Sequence, residues 1–482
     1  MNQKMVFRTI AQIVKLEAAL LLLPLFVSLY YQETAPLIAF SITIVATAAF
    51  GFLLTLLVKQ GTTTTIFAKE GFVIVALSWL FLSAFGALPF FLSGEIPSYA
   101  DAFFETVSGF TTTGASILTN IEALSKSLLF WRSFTHWIGG MGVIVMIVAI
   151  LPATAGRPIH ILRAEMPGPT MGKLVPKSGN TAKILYIIYL VLTLIEILFL
   201  LLGGMPLFDS IVHAFGTAGT GGFGIKATGL AGYNPYCQWV IAIFMALFGV
   251  NFNLYYLLLI RKFRSVLKSG ELWLYIGIIV VSISVITCNI YPLYQNIGEA
   301  LRLSAFQVSS IITTTGYATT DFNLWPGLSK CILLLLMFVG GCAGSTAGGL
   351  KVSRVLLLLK TIARELRHML HPRSVGVIQM EGKRVDNPTI NGTHAYLALY
   401  FLLLAALFLI LCLEPFSLET NLSAAISCFN NIGPGFDIVG PMGNYAEYSV
   451  LSKIVLSLGM LLGRLELYPL LFALSPSTWR KK

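Results

Sequence analysis

Charge is the scarcest property of this 482-residue chain: Asp, Glu, Lys and Arg together make up 11% of it, against roughly 25% in an ordinary soluble domain. With 56% hydrophobic residues and a mean hydropathy of +0.82, that shortage excludes a water-soluble fold and points to a polytopic membrane protein. Cysteine is scarce too. The six, Cys237, Cys288, Cys331, Cys342, Cys412 and Cys428, lie scattered, several inside apolar runs. They lack the paired spacing of a metal cluster or a disulfide framework and read as small core residues. Missing as well are a Walker loop, a G-x-G-x-x-G after a strand, an H-E-x-x-H and a Ser-His-Asp pattern, so no enzyme, no nucleotide-binding domain and no covalent or organic cofactor is expected in this chain. The formal net charge of +11 does not signal nucleic acid, because the basic residues gather in loops between apolar runs, as cytoplasmic loops do.

What the chain has instead is apolar length. A run over residues 14–30 follows Lys4 and Arg8, lacks a small-residue cleavage site and is soon followed by another over 36–58. The two read as a retained N-terminal transmembrane hairpin within residues 1–68, not a removed signal peptide. Four copies of one plan follow, in residues 69–155, 180–265, 270–370 and 395–482, with a cytoplasmic linker at 371–394. Each copy has an apolar segment, a short half-helix, a Thr/Gly loop and a second apolar segment. The half-helices are expected over 99–107, 207–215, 298–309 and 418–429, and the second segments over 128–151, 238–260, from 330 onward, and 450–474. This gives about ten spans of the roughly 20 residues a bilayer needs, and four re-entrant loops.

The loops read SGFTTTGAS, GTAGTGGFG, SIITTTGYA and CFNNIGPGF, and align on Gly114, Gly221, Gly316 and Gly433. A spacing of roughly a hundred residues marks internal repeats. Glycine can hold backbone conformations that aim successive carbonyl oxygens at one axis, and threonine adds hydroxyl oxygens. A dehydrated cation is therefore expected at Thr112, Thr113, Gly114, Gly219, Thr220, Gly221, Thr314, Thr315, Gly316, Asn431, Ile432 and Gly433. Irregular backbone at membrane depth is tolerated only where it lines a wet cavity. The expected fold is therefore all-α, with four parallel helix–pore loop–helix repeats around one pseudo-fourfold pore. The fourth loop, NNIGPG, cannot supply the hydroxyls of the first and third, which suggests weaker discrimination between potassium, rubidium and sodium than a filter with more carbonyl rings achieves. Lys226, just past the second loop, would oppose a cation unless it points away or pairs.

Basic residues set the orientation. One side holds Lys59 and Lys69; Arg157, Arg163, Lys173 and Lys177; Arg261, Lys262, Arg264 and Lys268; the cluster over 351–384; and Arg480, Lys481 and Lys482. The other holds few basic residues and the acids Glu95, Glu122, Glu299, Asp321, Glu414 and Glu447. Both termini are then cytoplasmic and all four loops enter from outside.

Four stretches, FFETVSGFTTTGAS, HWIGGMGVIV, GGCAGSTAGGLKVSR at 340–354 and GRLELYPL at 463–470, resemble the TrkH-type subunits of the Trk/Ktr/HKT potassium-uptake superfamily. The similarity covers nearly the whole chain, and the N-terminal hairpin suggests the TrkH type over KtrB. The resemblance implies potassium uptake across the bacterial inner membrane, with K+ as the transported ion. It also implies a homodimer embedded in membrane lipid and gated by a cytosolic, nucleotide-binding TrkA-type ring that takes ATP, ADP or NAD. It assigns an intramembrane gate to the glycine-rich interruption with Gly340, Gly341, Gly344, Ser345, Thr346, Gly348 and Gly349, and a cavity arginine to Arg464. The residues themselves also fit close packing through small side chains for the first and pairing with Glu466 for the second.

Glu196, Arg132 and His136 read as snorkelling or inter-helix pairing groups, though a carrier coupling potassium to protons or sodium would need such groups along its path. Such carriers show inverted repeats with broken midplane helices, whereas these repeats run parallel. His368 and His371 read as surface residues. The triplet Asn391-Gly392-Thr393 falls on the cytoplasmic side and is no glycosylation site.

Overall fold

The structure, a computed structural model, describes residues 1–58, 68–142, 179–374 and 376–479. The expected positions of Lys59, Arg157, Arg163, Lys173, Lys177 and the tail from Arg480, and the end of the return segment toward residue 151, lie outside the described residues.

Helices α1, Gln3–Leu20, and α2, Leu22–Tyr30, form one long apolar rod, and α3, Thr34–Leu57, returns beside it. On α3 the usual pattern is inverted. Small and hydroxyl residues, Ala39, Thr43, Thr47 and Gly51, are buried at helical spacing, while Ile38, Ile42, Val45, Phe52 and Leu56 face out. Lipid is as apolar as leucine, so membrane helices pack through small residues that let backbones approach. A Cβ on Gly51 would sit 2.6 Å from Lys15 Cγ of α1.

The first unit follows as α4, Ala68–Gly86, α5, Leu88–Leu92, α6, Tyr99–Phe110, and α7, Lys126–Gly140. The second has α8, Gly179–Leu202, α9, Leu207–Gly219, α10, Pro235–Phe248, α11, Phe252–Leu259, and a short α12, Phe263–Leu267. The third has α13, Gly270–Tyr294, α14, Ile297–Ile312, α15, Gly327–Val339, and α16, Val352–Leu370. The fourth has α17, Asn387–Leu411, α18, Leu418–Phe429, α19, Val450–Arg464, α20, Tyr468–Leu474, and α21, Pro476–Trp479.

Among the described residues six of the ten expected spans are helices long and apolar enough to cross a membrane, or seven if the bent pair α10 and α11 counts as one span; the end of the first return segment lies outside the described residues. Three of the second segments are broken. Helices α10 and α11 meet at 89°, where the Asn251 side chain accepts from Asn253 N and starts the new helix. Helices α15 and α16 are separated by the glycine-rich residues 340–351. Helix α19 stops at Glu466 and Leu467, whose φ angles are 54° and 66°, and Pro469 then opens α20, in keeping with proline's preference for the first turn.

The fold is not wholly helical. Strands β1, Gln379–Met380, and β2, Lys383–Arg384, pair antiparallel with Gln379 opposite Arg384. Glu381 (φ 51°) and Gly382 (φ 76°) make the tight turn that favours Gly at positive φ. The hairpin packs on α16 through a small core of Leu357, Ile378, Met380, Val385 and Ile390. Cysteine also differs from expectation: Cys237, Cys342 and Cys428 are buried, but Cys288, Cys331 and Cys412 are exposed.

Candidate functional site

The short helices α6, α9, α14 and α18 begin alike. Each has an acid in its first turn, Asp101, Asp209, Glu299 or Glu419, where the positive end of the helix dipole favours it. Side chains of Ser98, Asn296 and Ser417 accept backbone amides at three of the four starts.

They also end alike. Thr113 N, Gly221 N, Thr315 N and Ile432 N each bond a carbonyl five residues back, those of Ser108, Gly216, Ser310 and Ser427. The preceding residues, Thr112, Thr220, Thr314 and Asn431, sit in the left-handed region at φ 55–57°. The following ones are glycines at positive φ: Gly114 (80°), Gly222 (78°), Gly316 (82°) and Gly433 (99°). The second loop is therefore shifted by one residue from its sequence alignment. Gly222, not Gly221, matches the other three glycines, and Gly219 matches Thr111, Thr313 and Asn430 at the helix ends.

The four loops touch in a closed cycle. A Cβ on Gly114 would overlap the carbonyl oxygen of Gly221, one on Gly222 that of Thr315, and one on Gly316 that of Ile432. On Gly433 it would lie 2.7 Å from the oxygen of Thr113. Only glycine fits such a contact at positive φ. All four glycines line one cavity of about 120 Å³, which Lys226 and Arg132 also border. Behind the ring, Thr111 and Thr113 hydroxyls lie 2.8 Å apart, as do those of Thr313 and Thr315. In the fourth loop the Asn431 amide donates to Thr113 Oγ1 at 3.0 Å and to Met460 O at 2.8 Å, linking the fourth loop to the first.

Residues 340–351 lie directly against this ring. Gly348 N donates to Thr314 Oγ1 at 2.6 Å and Gly349 N to Asn430 O at 3.1 Å. Gly340, Gly344 and Gly349 have φ of 72–74°, and Gly341 accepts from Val352 N. Cys342 N bonds Gly249 O, Phe252 N bonds Gly344 O, and Thr346 Oγ1 bonds Phe248 O, so the break between α10 and α11 cradles the segment. Ser345 donates to Cys342 O, and Ala343 N donates to Glu271 Oε1 at 2.6 Å. The buried Lys351, at φ 76°, donates from Nζ to Ala347 O.

Arg464, at the end of α19, donates to Thr346 O at 2.8 Å, Gly139 O at 2.5 Å and Gly140 O at 2.7 Å. It thus ties the segment to the end of α7. Glu466 pairs with Arg354 at 2.6 Å. A second cavity of about 70 Å³ opens here, bordered by Trp79, Gly140, Ser345, Gly348, Lys351 and Arg464. Interrupted helices leave backbone groups unpaired, and buried ones must find partners. That requirement accounts for the density of polar contacts here.

Other charges singled out by sequence are engaged. Lys226 Nζ lies 4.3 Å over the Tyr233 ring, whose hydroxyl donates to Asp209 at 2.8 Å. Arg132 pairs with Glu105 at 2.6 Å and His136 Nδ1 lies 2.7 Å from Gly109 O; Glu196 is the exception, its buried carboxylate having no hydrogen-bond partner among the described residues. His368 and His371 are exposed. The sequence reading passed over Glu105, Glu271 and Asn251, and placed Lys351 in the cytoplasmic basic cluster, whereas it is buried against the glycine-rich segment. A lone acid inside the apolar stretch of α6 was the available signal for Glu105, since a buried carboxylate needs a partner.

Helices with apolar outer faces enclosing irregular, polar backbone define a multi-pass membrane protein. More narrowly, the chain belongs to the TrkH family of cation transport proteins, whose family model matches residues 37–481. It is similar to the Trk system potassium uptake protein TrkH of Salmonella typhimurium, 35% identical over 490 residues and 100% of both chains. The protein of the same name from Escherichia coli K12 is 34% identical over 488 residues, again 100% of both. The crystal structure of the potassium transporter TrkH from Vibrio parahaemolyticus matches with a TM-score of 0.89 at 32% identity, covering 100% of each chain.

Proposed function

We propose that the chain takes up potassium across the bacterial inner membrane through a channel-like pore formed by its four loops. The observation that carries this reading is the closed cycle of four left-handed glycines lining one cavity. Backbone of this kind, at the negative ends of four short helices, supplies carbonyl oxygens in place of an ion's hydration shell. The filter residues are then Thr112, Thr113 and Gly114; Thr220, Gly221 and Gly222; Thr314, Thr315 and Gly316; and Asn431, Ile432 and Gly433. The four units run parallel from the outer side with both termini in the cytoplasm, and the membrane potential drives each ion inward with about 2.3 kcal/mol per 100 mV. The names of the Salmonella and Escherichia relatives support potassium as the substrate.

Residues 340–351 act as the gate, with Arg464 holding it closed from below and placing a positive charge on the ion's path. The exposed basic residues Arg261, Lys262, Arg264, Arg367, Arg373, Lys383 and Arg384 offer a docking face for an acidic cytosolic partner. Following the family resemblance, that partner is a TrkA-type nucleotide-binding ring, and the transporter is a homodimer. Of the three groups a proton-coupled carrier would use, Arg132 and His136 are taken up by bonds within the protein, while the Glu196 carboxylate is buried without one among the described residues; the parallel repeats, rather than these groups, favour the channel. The test is rubidium uptake into proteoliposomes held at an inside-negative potential. Competition by external potassium but not by choline is expected, and uptake indifferent to potassium would overturn the proposal.

A further inference from the structure

The four loops are not held alike from behind. In the first and third, a pair of threonine side chains packs behind the backbone. The second has Gly219 and Gly221 at those positions, and His136 of α7 stands where the side chains would be. A Cβ on Gly221 would overlap the imidazole ring, and one on Gly219 would overlap His136's own carbonyl. The imidazole is fixed at both nitrogens. Nδ1 lies 2.7 Å from Gly109 O, a group that only accepts, so Nδ1 carries the proton. Nε2 accepts Phe223 N at 3.3 Å, so it is bare.

One turn earlier on α7, Arg132 does the parallel job. Its Nε donates to Glu105 Oε1 at 2.6 Å and its Nη1 to Gly224 O at 2.8 Å, and the guanidinium lies 3.6 Å over the Phe223 ring. Glu105 also accepts from Ser116 Oγ and Ile117 N, just beyond the first loop. Glu105 and Gly109 are one turn apart on α6, as are Arg132 and His136 on α7. Two rungs therefore tie the first short helix to Phe223 and Gly224, the exit of the second loop. Glu105, Arg132, His136 and Phe223 are all 2% exposed or less. The positions equivalent to Glu105 on the other short helices are His213, Gln307 and Ala424, so a carboxylate stands only here.

We infer that Arg132 and His136 are specificity-determining positioning residues. Resting on the reading of the four loops as a potassium filter, they hold the side-chain-poor second loop open at potassium's width. A strand of Gly219, Thr220, Gly221 and Gly222 has the freest backbone of the four. Unbraced, its carbonyls can move inward and ligate the smaller sodium ion.

The experiment measures sodium-to-potassium permeability ratios from reversal potentials in planar bilayers for His136→Ala, Gly221→Thr, their combination, Arg132→Lys, His136→Gln and Gly316→Ser, with thermal melting alongside. His136→Ala raises the ratio about tenfold, equivalent to about 1.4 kcal/mol, the scale of a lost buried hydrogen bond. Gly221→Thr alone raises it as well, and the combination falls back toward wild type because threonine fills the vacated volume. His136→Gln, which keeps a donor and an acceptor, retains selectivity. If His136→Ala does not fold, Arg132→Lys carries the test, since a lysine reaching Glu105 loses the bond to Gly224 O and the ratio rises. Wild-type ratios in His136→Ala or Arg132→Lys, with selectivity lost in Gly316→Ser, overturn the brace. Unchanged ratios in all variants, Gly316→Ser included, overturn the filter reading instead.

Discussion

Replacing Arg464 by alanine removes three donated hydrogen bonds at once, to Thr346 O, Gly139 O and Gly140 O. Bonds from a charged donor contribute about 1.5–3 kcal/mol each. Arg464 is half-buried beside a cavity of about 70 Å³, so water replaces part of what is lost. A net loss of about 3 kcal/mol from the closed state corresponds to roughly a hundredfold rise in the open population. Deleting residues 344–348 removes the Thr346 carbonyl together with the Gly348 bond to Thr314 and the Gly344 bond to Phe252, so it should raise flux more than Arg464→Ala does. The effects should not add, because both act on one closed state, and the combined variant should match the deletion. The assay is rubidium uptake into vesicles by wild type, both single variants and the double, all without a regulatory partner. Uptake at the wild-type level in the deletion variant would show that the segment is a packing motif and refute the reasoning.

Three further outcomes follow from the same contacts. Glu271→Ala leaves the Ala343 amide without its acceptor, at a cost of about 1–3 kcal/mol to the segment's resting position, so basal rubidium uptake should rise by roughly tenfold; a basal rate equal to wild type would exclude Glu271 as an anchor. Neutralising Arg364 and Arg367 should weaken co-purification with a cytosolic ring in a salt-dependent way, and binding unaffected at low salt would move the docking face elsewhere. The exposed Asp437 carboxyl is held below the usual aspartate range by hydrogen bonds from Thr420 and then Ser417. Its stabilisation is therefore present above the unfolded value of about 3.9 and is lost as pH falls through the lower folded value. Melting temperatures of wild type and Asp437→Asn should differ at neutral pH and converge below about pH 4, and a constant difference would rule out the carboxylate as the cause.

The sequence was most informative where one residue type had one physical use. The string TTTG leaves a single glycine to take a left-handed conformation, and Gly114 and Gly316 carry positive φ where they were aligned. GTAGTGGFG offers several glycines, so composition could not separate Gly221 from Gly222; the choice is made by His136 and by the carbonyl of Thr315, both distant in sequence. The helix breaks other than the glycine-rich one were hidden for a similar reason. Glu466 and Leu467 are ordinary helix formers, and their positive φ angles come from tertiary packing. The hairpin at Glu381 and Gly382 went unread inside the 371–394 linker, because two-residue strands are too short for a period-two pattern to register. Arg132 pairs between helices, as its burial cost requires, but its partner Glu105 came only from the structure.

The central claim, that the four loops form one potassium-selective path, is tested most directly by the reversal potential of the reconstituted wild-type protein in a planar bilayer with potassium on one side and sodium on the other. The account predicts a single conductance reversing toward the potassium equilibrium potential, with that preference reduced in Gly316→Ser. A reversal potential near zero, or one that follows the proton gradient when potassium and sodium are equal on both sides, would contradict it.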